Sequence, residues 1–173
     1  MHRVVPELIV ENYKAGRFNG TFPAVGMFLD LSGFSAMTDA LMTHGQHGAE
    51  ILANLMHGVF DPLVEGIFDH GGKIVGFAGD GIMALFPIES DAKTTALRAL
   101  ASAWLIQERL AFDPGRSTVY GTFQFTAKIG LTCGAVTWGI LHSEDRRNAT
   151  YFFRGSAVDD AAMAEHHARA GQI

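Results

Sequence analysis

"HGGKIVGFAGDGIMALFP", residues 70–87, is the stretch whose reading decides the fold. Lys73 to Pro87 reads as two short apolar strands joined by a tight Ala-Gly-Asp-Gly turn and closed by a proline. Between Gly79 and Gly81 stands a bare carboxylate, Asp80, in a run otherwise made of Phe, Ile, Met and Leu. A buried, unpartnered charge costs several kcal/mol, so Asp80 is expected to hold something.

Working outward, "GAEILANLMHGVFDPLVEGIFDHGG" places Ile51, Leu52, Leu55, Met56, Val59, Phe60, Leu63, Val64, Ile67 and Phe68 at intervals of three and four, and ends on Gly71-Gly72. That spacing predicts a long amphipathic helix ahead of the strand pair. Further upstream, "AVGMFLDLSG" predicts a buried strand with Asp30 near its end and Ser32-Gly33 as the break, followed by a helix over Ser35 to Met42. Residues 1–22 mix charge, glycine and aromatics and read as an irregular lead-in.

Downstream, Asp91 is the expected N-cap of a helix reaching about Leu110, with Ala96, Leu97, Leu100, Trp104 and Leu105 facing inward. "TFQFTAKIGLTCG" and "AVTWGILHS" read as a hairpin-like strand pair, "NATYFFRG" as a short strand and "SAVDDAAMAEHHARAG" as a helix. The expected order is β-α-α-β-β-α-β-β-β-α. This is an α+β chain: an antiparallel-rich sheet backed by helices around a ferredoxin-like βαββαβ core spanning residues 23–173.

The chain has 173 residues, 48% of them hydrophobic and 18% charged, which is ordinary for one globular domain. A net charge of −5 offers no footprint for nucleic acid, and no basic run suggests an anionic membrane surface. Arg3, Glu7, Glu11, Lys14 and Arg17 break up any leader pattern, and no uncharged apolar stretch is long enough to read as a membrane segment, so a cytoplasmic location is the default expectation. The single cysteine, Cys133, forbids an internal disulfide and reads as a buried strand residue; Trp138 reads as an interface residue. "HHARAGQI" ends as though another strand were starting, which suggests a longer, multidomain protein.

In a ferredoxin-like sheet the first strand neighbours the central hairpin, so Asp30 and Asp80 are expected to meet at one edge. Two carboxylates suit Mg²⁺, which completes its shell with substrate phosphates and water. Beside Asp30, "LSGFS" is a glycine turn feeding a helix, whose free N–H groups and positive dipole end seat phosphate oxygens, with the Ser32 and Ser35 hydroxyls as extra donors. A nucleoside triphosphate with magnesium is the ligand this pattern suggests. The plainer alternative is that Ser32 caps the helix and Asp30 serves the turn. The eight histidines are scattered and show no pair on one helical face to suggest zinc.

"FLDLSGFSAMTDAL", residues 28–41, taken with residues 70–87, resembles the catalytic domain of class III nucleotidyl cyclases from about Val25 onward. The likeness is greatest to the first of the two cyclase domains of soluble, bicarbonate-regulated adenylyl cyclases, whose late helix carries a Val-Asp-Asp like "AVDDAAMA". The resemblance implies an adenylate cyclase, a lyase that forms cyclic AMP and pyrophosphate from ATP. Two cyclase domains would pair head to tail, with two Mg²⁺ or Mn²⁺ ions held by Asp30, Asp80 and the backbone carbonyl of Leu31. Ser32, Gly33, Phe34, Ser35 and Gly79 would lie along the substrate, the Phe34 ring being either a core anchor or a lid.

The same resemblance exposes departures. The purine-selecting Lys falls on Gly76 and its partner on Phe152, while the Asn and Arg of the late helix fall on Asp159 and Met163. A phosphate-binding Arg falls on Ala135, with Lys128, Arg146 or Arg147 as unranked substitutes. The resemblance thus implies a metal-donating half that needs a second, unlike cyclase domain, because a homodimer would repeat the same losses. The cations that bind bicarbonate in those relatives fall on Gly76 and Ala162, implying weak or absent stimulation by that anion. The alternative is a catalytically degenerate nucleotide-binding or dimerisation module that regulates a downstream effector. Cyclic-dinucleotide synthesis is disfavoured, since Lys73 stands where that signature requires an acid.

Overall fold

The computed structural model describes residues 5–145 and 147–173. The elements run α1 (Glu7–Lys14), β1 (Asn19–Ser32), α2 (Phe34–Met42), α3 (Gly45–Asp69), β2 (Lys73–Ala78), β3 (Gly81–Pro87), α4 (Ala92–Ala111), β4 (Arg116–Thr118), β5 (Gly121–Phe123), β6 (Thr126–His142), β7 (Ala149–Arg154) and α5 (Ser156–His167). The main sheet has the order β2-β3-β1-β6-β7 with every neighbouring pair antiparallel, and β4-β5 form a separate small hairpin. Removing β7 leaves the ferredoxin-like order expected from sequence, with β1 central and beside the hairpin strand β3.

Alternation along the strands splits the sheet into two faces. Val25, Met27, Leu29, Leu31, Ile82, Ala84, Phe86, Ala127 and Ile129 face a core closed by Met37, Leu41, Val59, Leu63, Ile67, Ala99, Ala103 and Ile106 of α2, α3 and α4. The opposite face carries α5, whose Ala157 and Ala161 pack with Val75, Met83, Leu85 and Val136. Glycines make this second seat possible. A Cβ at Gly130 would lie 2.1 Å from the Ala161 carbonyl oxygen, and one at Gly134 would lie 2.2 Å from Ser156 Oγ.

Several expectations are corrected. Residues 7–22 are not irregular: Glu7–Lys14 is helical, and β1 begins at Asn19, because Gly20 leaves room for the Trp138 ring. Trp138 is therefore buried with Ile9 and Ile140 rather than lying at an interface. The supposed hairpin around Gly134 is one continuous strand. β1 pairs with β6 without interruption from Asn19↔Gly139 to Ser32↔Thr126, and Gly134 is a slot for α5, not a turn. Cys133 is exposed.

In α4 the expected inward face is rotated: Thr95, Ala99, Ser102, Ala103 and Ile106 are buried, while Leu97, Leu100 and Trp104 are exposed, Trp104 by 66%. Small residues let α4 approach α3 closely, where the Ser102 hydroxyl donates to the Gly66 carbonyl at 3.0 Å. The bulky side chains left outside line an apolar groove with Phe112 and Ile173. Helix α3 is long and apolar enough by length and composition to cross a membrane, yet Val59, Leu63 and Ile67 belong to the core.

Asp91 caps α4 as expected, accepting from the Thr94 N–H at 2.9 Å and the Lys93 N–H at 3.2 Å. The Thr94 hydroxyl first, then these two N–H groups, hold its carboxyl below the ordinary 3.8. A lowered folded-state pKa gives stability that is present above the unfolded value and is lost as pH falls through the folded one. Asp91→Ala should therefore lower the thermal midpoint at pH 7, with the gap from the parent closing in melts taken well below the ordinary 3.8.

Candidate active site

Asp30 lies directly across from Gly81 in the β1–β3 ladder, so Asp80 sits one residue from the position facing it. Residues opposite one another in such ladders have Cα atoms about 4.5–5.5 Å apart, so the turn that carries Asp80 lies at the same end of the ladder as Asp30. Asp80 occupies the two-residue turn between β2 and β3, where Gly79 takes a left-handed φ of 64° that side-chain-bearing residues rarely adopt. Gly81 is closely packed, since a Cβ there would lie 3.0 Å from the tip of the Phe28 ring.

Asp80 is half-buried, and among the described residues no hydrogen bond or ion pair reaches its carboxylate. The Asp30 side chain is 31% exposed, and its Oδ2 is 3.6 Å from Lys128 Nζ. Lys128 is the cross-strand partner of Asp30 on β6. Its ammonium also meets Glu165 Oε1 of α5 at 2.5 Å, an ion pair rather than a well-aligned hydrogen bond. The Glu165 contact first, and then the Asp30 charge, raise the Lys128 pKa above its ordinary value against the cost of desolvation, so the ammonium stays charged at neutral pH.

Next to Asp30, β1 ends at Ser32, and Gly33 (φ 101°) turns the chain into α2. No side chain caps α2, so the helix-capping alternative for Ser32 is not what forms. Among the described residues the backbone bond closing that first turn runs from the Met37 N–H to the Gly33 carbonyl, which leaves the amides ahead of Met37 as donors close in sequence to Asp30. Gly33 cannot be replaced simply, because a Cβ there would lie 2.5 Å from the Gln124 carbonyl oxygen. Ser35 is exposed and Ser32 half-buried. Phe34 packs its ring edge-on against Phe60, with centroids 5.8 Å apart, so its ring anchors on the core.

The side chains of Asp30 and Asp80 offer oxygen donors only, a chemistry that fits Mg²⁺ or Mn²⁺. Among the described residues no group of three or more His, Cys, Asp or Glu gathers at one place. A divalent ion here would rely on substrate phosphates and water for the remainder of its shell.

The candidate cations are now ranked by position. Lys128 stands at the site, Arg147 pairs with Asp145 in the exposed β6–β7 loop, and Arg146 lies outside the described residues. Glu165 went unnoticed in the sequence, where nothing separates it from a solvated helix charge. Its 7% exposure is the signal, and that appears only once α5 is seated on β6.

No family model matches the chain. Adenylate cyclase type 10 of Rattus norvegicus is 32% identical over 155 residues, 88% of this chain but 9% of that protein. Among solved structures, the guanylyl cyclase Cya2 is 26% identical with a TM-score of 0.68, covering 88% of this chain and 74% of that one. The adenylyl cyclase CyaB from P. aeruginosa is 20% identical with a TM-score of 0.70, covering 88% and 76%. The sheet order, read beside these likenesses, is that of a nucleotidyl cyclase domain. Its sequence relatives are adenylate cyclase type 10 at about 30% identity, and its structural neighbours are class III adenylyl and guanylyl cyclase domains. It spans about a tenth of the length of the curated type 10 relatives it matches.

Proposed function

We propose that this domain is the metal-donating half of an adenylyl cyclase, converting ATP to cyclic AMP and pyrophosphate together with a second, unlike cyclase domain. The observation that carries the reading is that Asp80, which has no partner among the described residues, adjoins the residue paired with Asp30, itself three positions before the uncapped start of α2 at Gly33. In the reaction the ribose 3′-oxygen forms a bond to the α-phosphorus, the α–β phosphoanhydride bond breaks, and pyrophosphate leaves while the hydroxyl proton passes to solvent.

Asp30, Asp80 and the Leu31 carbonyl would hold Mg²⁺ or Mn²⁺. The chemistry such ions supply when bound is a lowered pKa for the 3′-hydroxyl and neutralisation of charge on the triphosphate. Free amides at the head of α2, with Ser32 and Ser35, would cradle phosphate oxygens. Gly79 would allow the Asp80 turn to approach them. Lys128 is the cation at this edge, and it takes the place of the phosphate-binding Arg that Ala135 lacks.

Base recognition and transition-state stabilisation would come from the partner. Gly76 and Phe152 offer no hydrogen bond to a purine edge, and Met163 is an exposed apolar side chain on α5. The same absences favour the second reading, a nucleotide-binding module that turns nothing over by itself. The two separate on mixing. This chain is combined with a cyclase domain that carries the complementary Lys, Asp or Thr, Asn and Arg, and with ATP and Mn²⁺. Each domain alone should stay near background while the mixture forms cyclic AMP; a mixture no more active than its parts would leave only the binding module.

A further inference from the structure

We infer that Glu165 is a positioning residue for the metal edge: it holds the Lys128 ammonium toward α5 and off Asp30, and so sets how tightly the aspartate pair takes a divalent cation. The inference rests on the proposed role of Asp30 and Asp80 as metal ligands.

Lys128 lies between two carboxylates and is shared unequally. Its Nζ is 2.5 Å from Glu165 Oε1 and 3.6 Å from Asp30 Oδ2, the second distance being too long for a hydrogen bond. The Glu165 side chain is 10% exposed against 31% for Asp30, so Glu165 has less water to share its charge with and the stronger demand for the ammonium. Backbone packing fixes this division. α5 rests on Gly130, two residues from Lys128 on the same strand face, where a Cβ would lie 2.3 Å from the Glu165 amide nitrogen. Glu165 is thereby carried to the Lys128 ammonium by a helix that cannot approach at any other residue type.

Without the Glu165 charge, the ammonium has one anionic neighbour left among the described residues, Asp30, and would close on it. A cation in direct contact with a ligand carboxylate competes with any divalent ion for the same oxygens. Glu165 and Lys128 should therefore move metal affinity in opposite directions, although they form one ion pair. A pair that only pinned α5 to the sheet would weaken folding in both variants and leave metal affinity alone.

The test uses the whole nucleotide-free chain and Mn²⁺ alone, with free Mn²⁺ measured by electron paramagnetic resonance and folding checked by urea denaturation. Glu165→Gln should weaken Mn²⁺ binding and Lys128→Met should tighten it, each by about tenfold. In the Lys128→Met background, Glu165→Gln should have little further effect. Asp30→Asn should lose the site. Glu165→Gln binding as well as the parent, or Lys128→Met failing to tighten, overturns the inference while Asp30 dependence persists. Mn²⁺ binding that survives Asp30→Asn, or is absent from the parent, instead removes the metal reading on which the inference stands. If Glu165→Gln does not fold, Lys128→Met decides alone.

Discussion

Asp80→Asn is expected to cut cyclic AMP formation by the complemented chain at least about a hundredfold, a loss of about 2.7 kcal/mol in transition-state stabilisation. The substitution keeps the shape of the side chain and removes the charge that a hard divalent ion requires. It should leave folding nearly untouched, within about 0.5 kcal/mol by urea denaturation, because no hydrogen bond or ion pair within the described residues is lost with that carboxylate. A carboxylate kept for stability would show the reverse pattern, a lowered urea midpoint with activity intact. Activity within tenfold of the parent would remove Asp80 from the chemistry. Asp30→Asn makes the less clean comparison, since Lys128 loses a charged neighbour at the same time.

What was legible from the residues was whatever depends on local spacing. The long helix α3, the β2–β3 turn, the Asp91 cap and the glycine break before α2 each follow from a few neighbouring residues, and each formed. The pairing of β1 with the hairpin strand β3 was legible too, because one sheet order puts the first strand beside the hairpin. What was not legible depends on partners far along the chain. Gly134 looks like a turn until β1 is seen to extend back to Asn19, and it then becomes the seat of α5. The inward face of α4 does not follow the bulk of its side chains. Close helix contact instead selected Ala99, Ser102 and Ala103 and left Trp104 outside. Lys128 meets Asp30 through the β1–β6 register and Glu165 through the docking of α5 on β6, neither of which leaves a pattern in any short window.

That dependence on close backbone approach leads to the other large effect. Gly26 lies in β1 beneath the first turn of α5, and a Cβ built there would sit 1.6 Å from the Ala157 carbonyl oxygen. The obstruction is backbone in a helix whose Ala157 and Ala161 are fully buried, so no rotamer change relieves it. Either α5 lifts from the sheet or β1 bends away from β3 and β6, and both routes break packing on which the Asp30 edge depends. Gly26→Val should therefore destabilise the domain by about 3 kcal/mol or more, a large part of the total for a chain this size. Gly58→Ala is the matched control. It lies within α3 with nothing within 4 Å of an added Cβ, and should stabilise by about 0.5–1 kcal/mol through helix propensity. Urea titrations of the two variants would then shift in opposite directions. Equal, small shifts would mean that α5 does not rest on β1 through Gly26, and the placement of Glu165 beside Lys128 would lose its support.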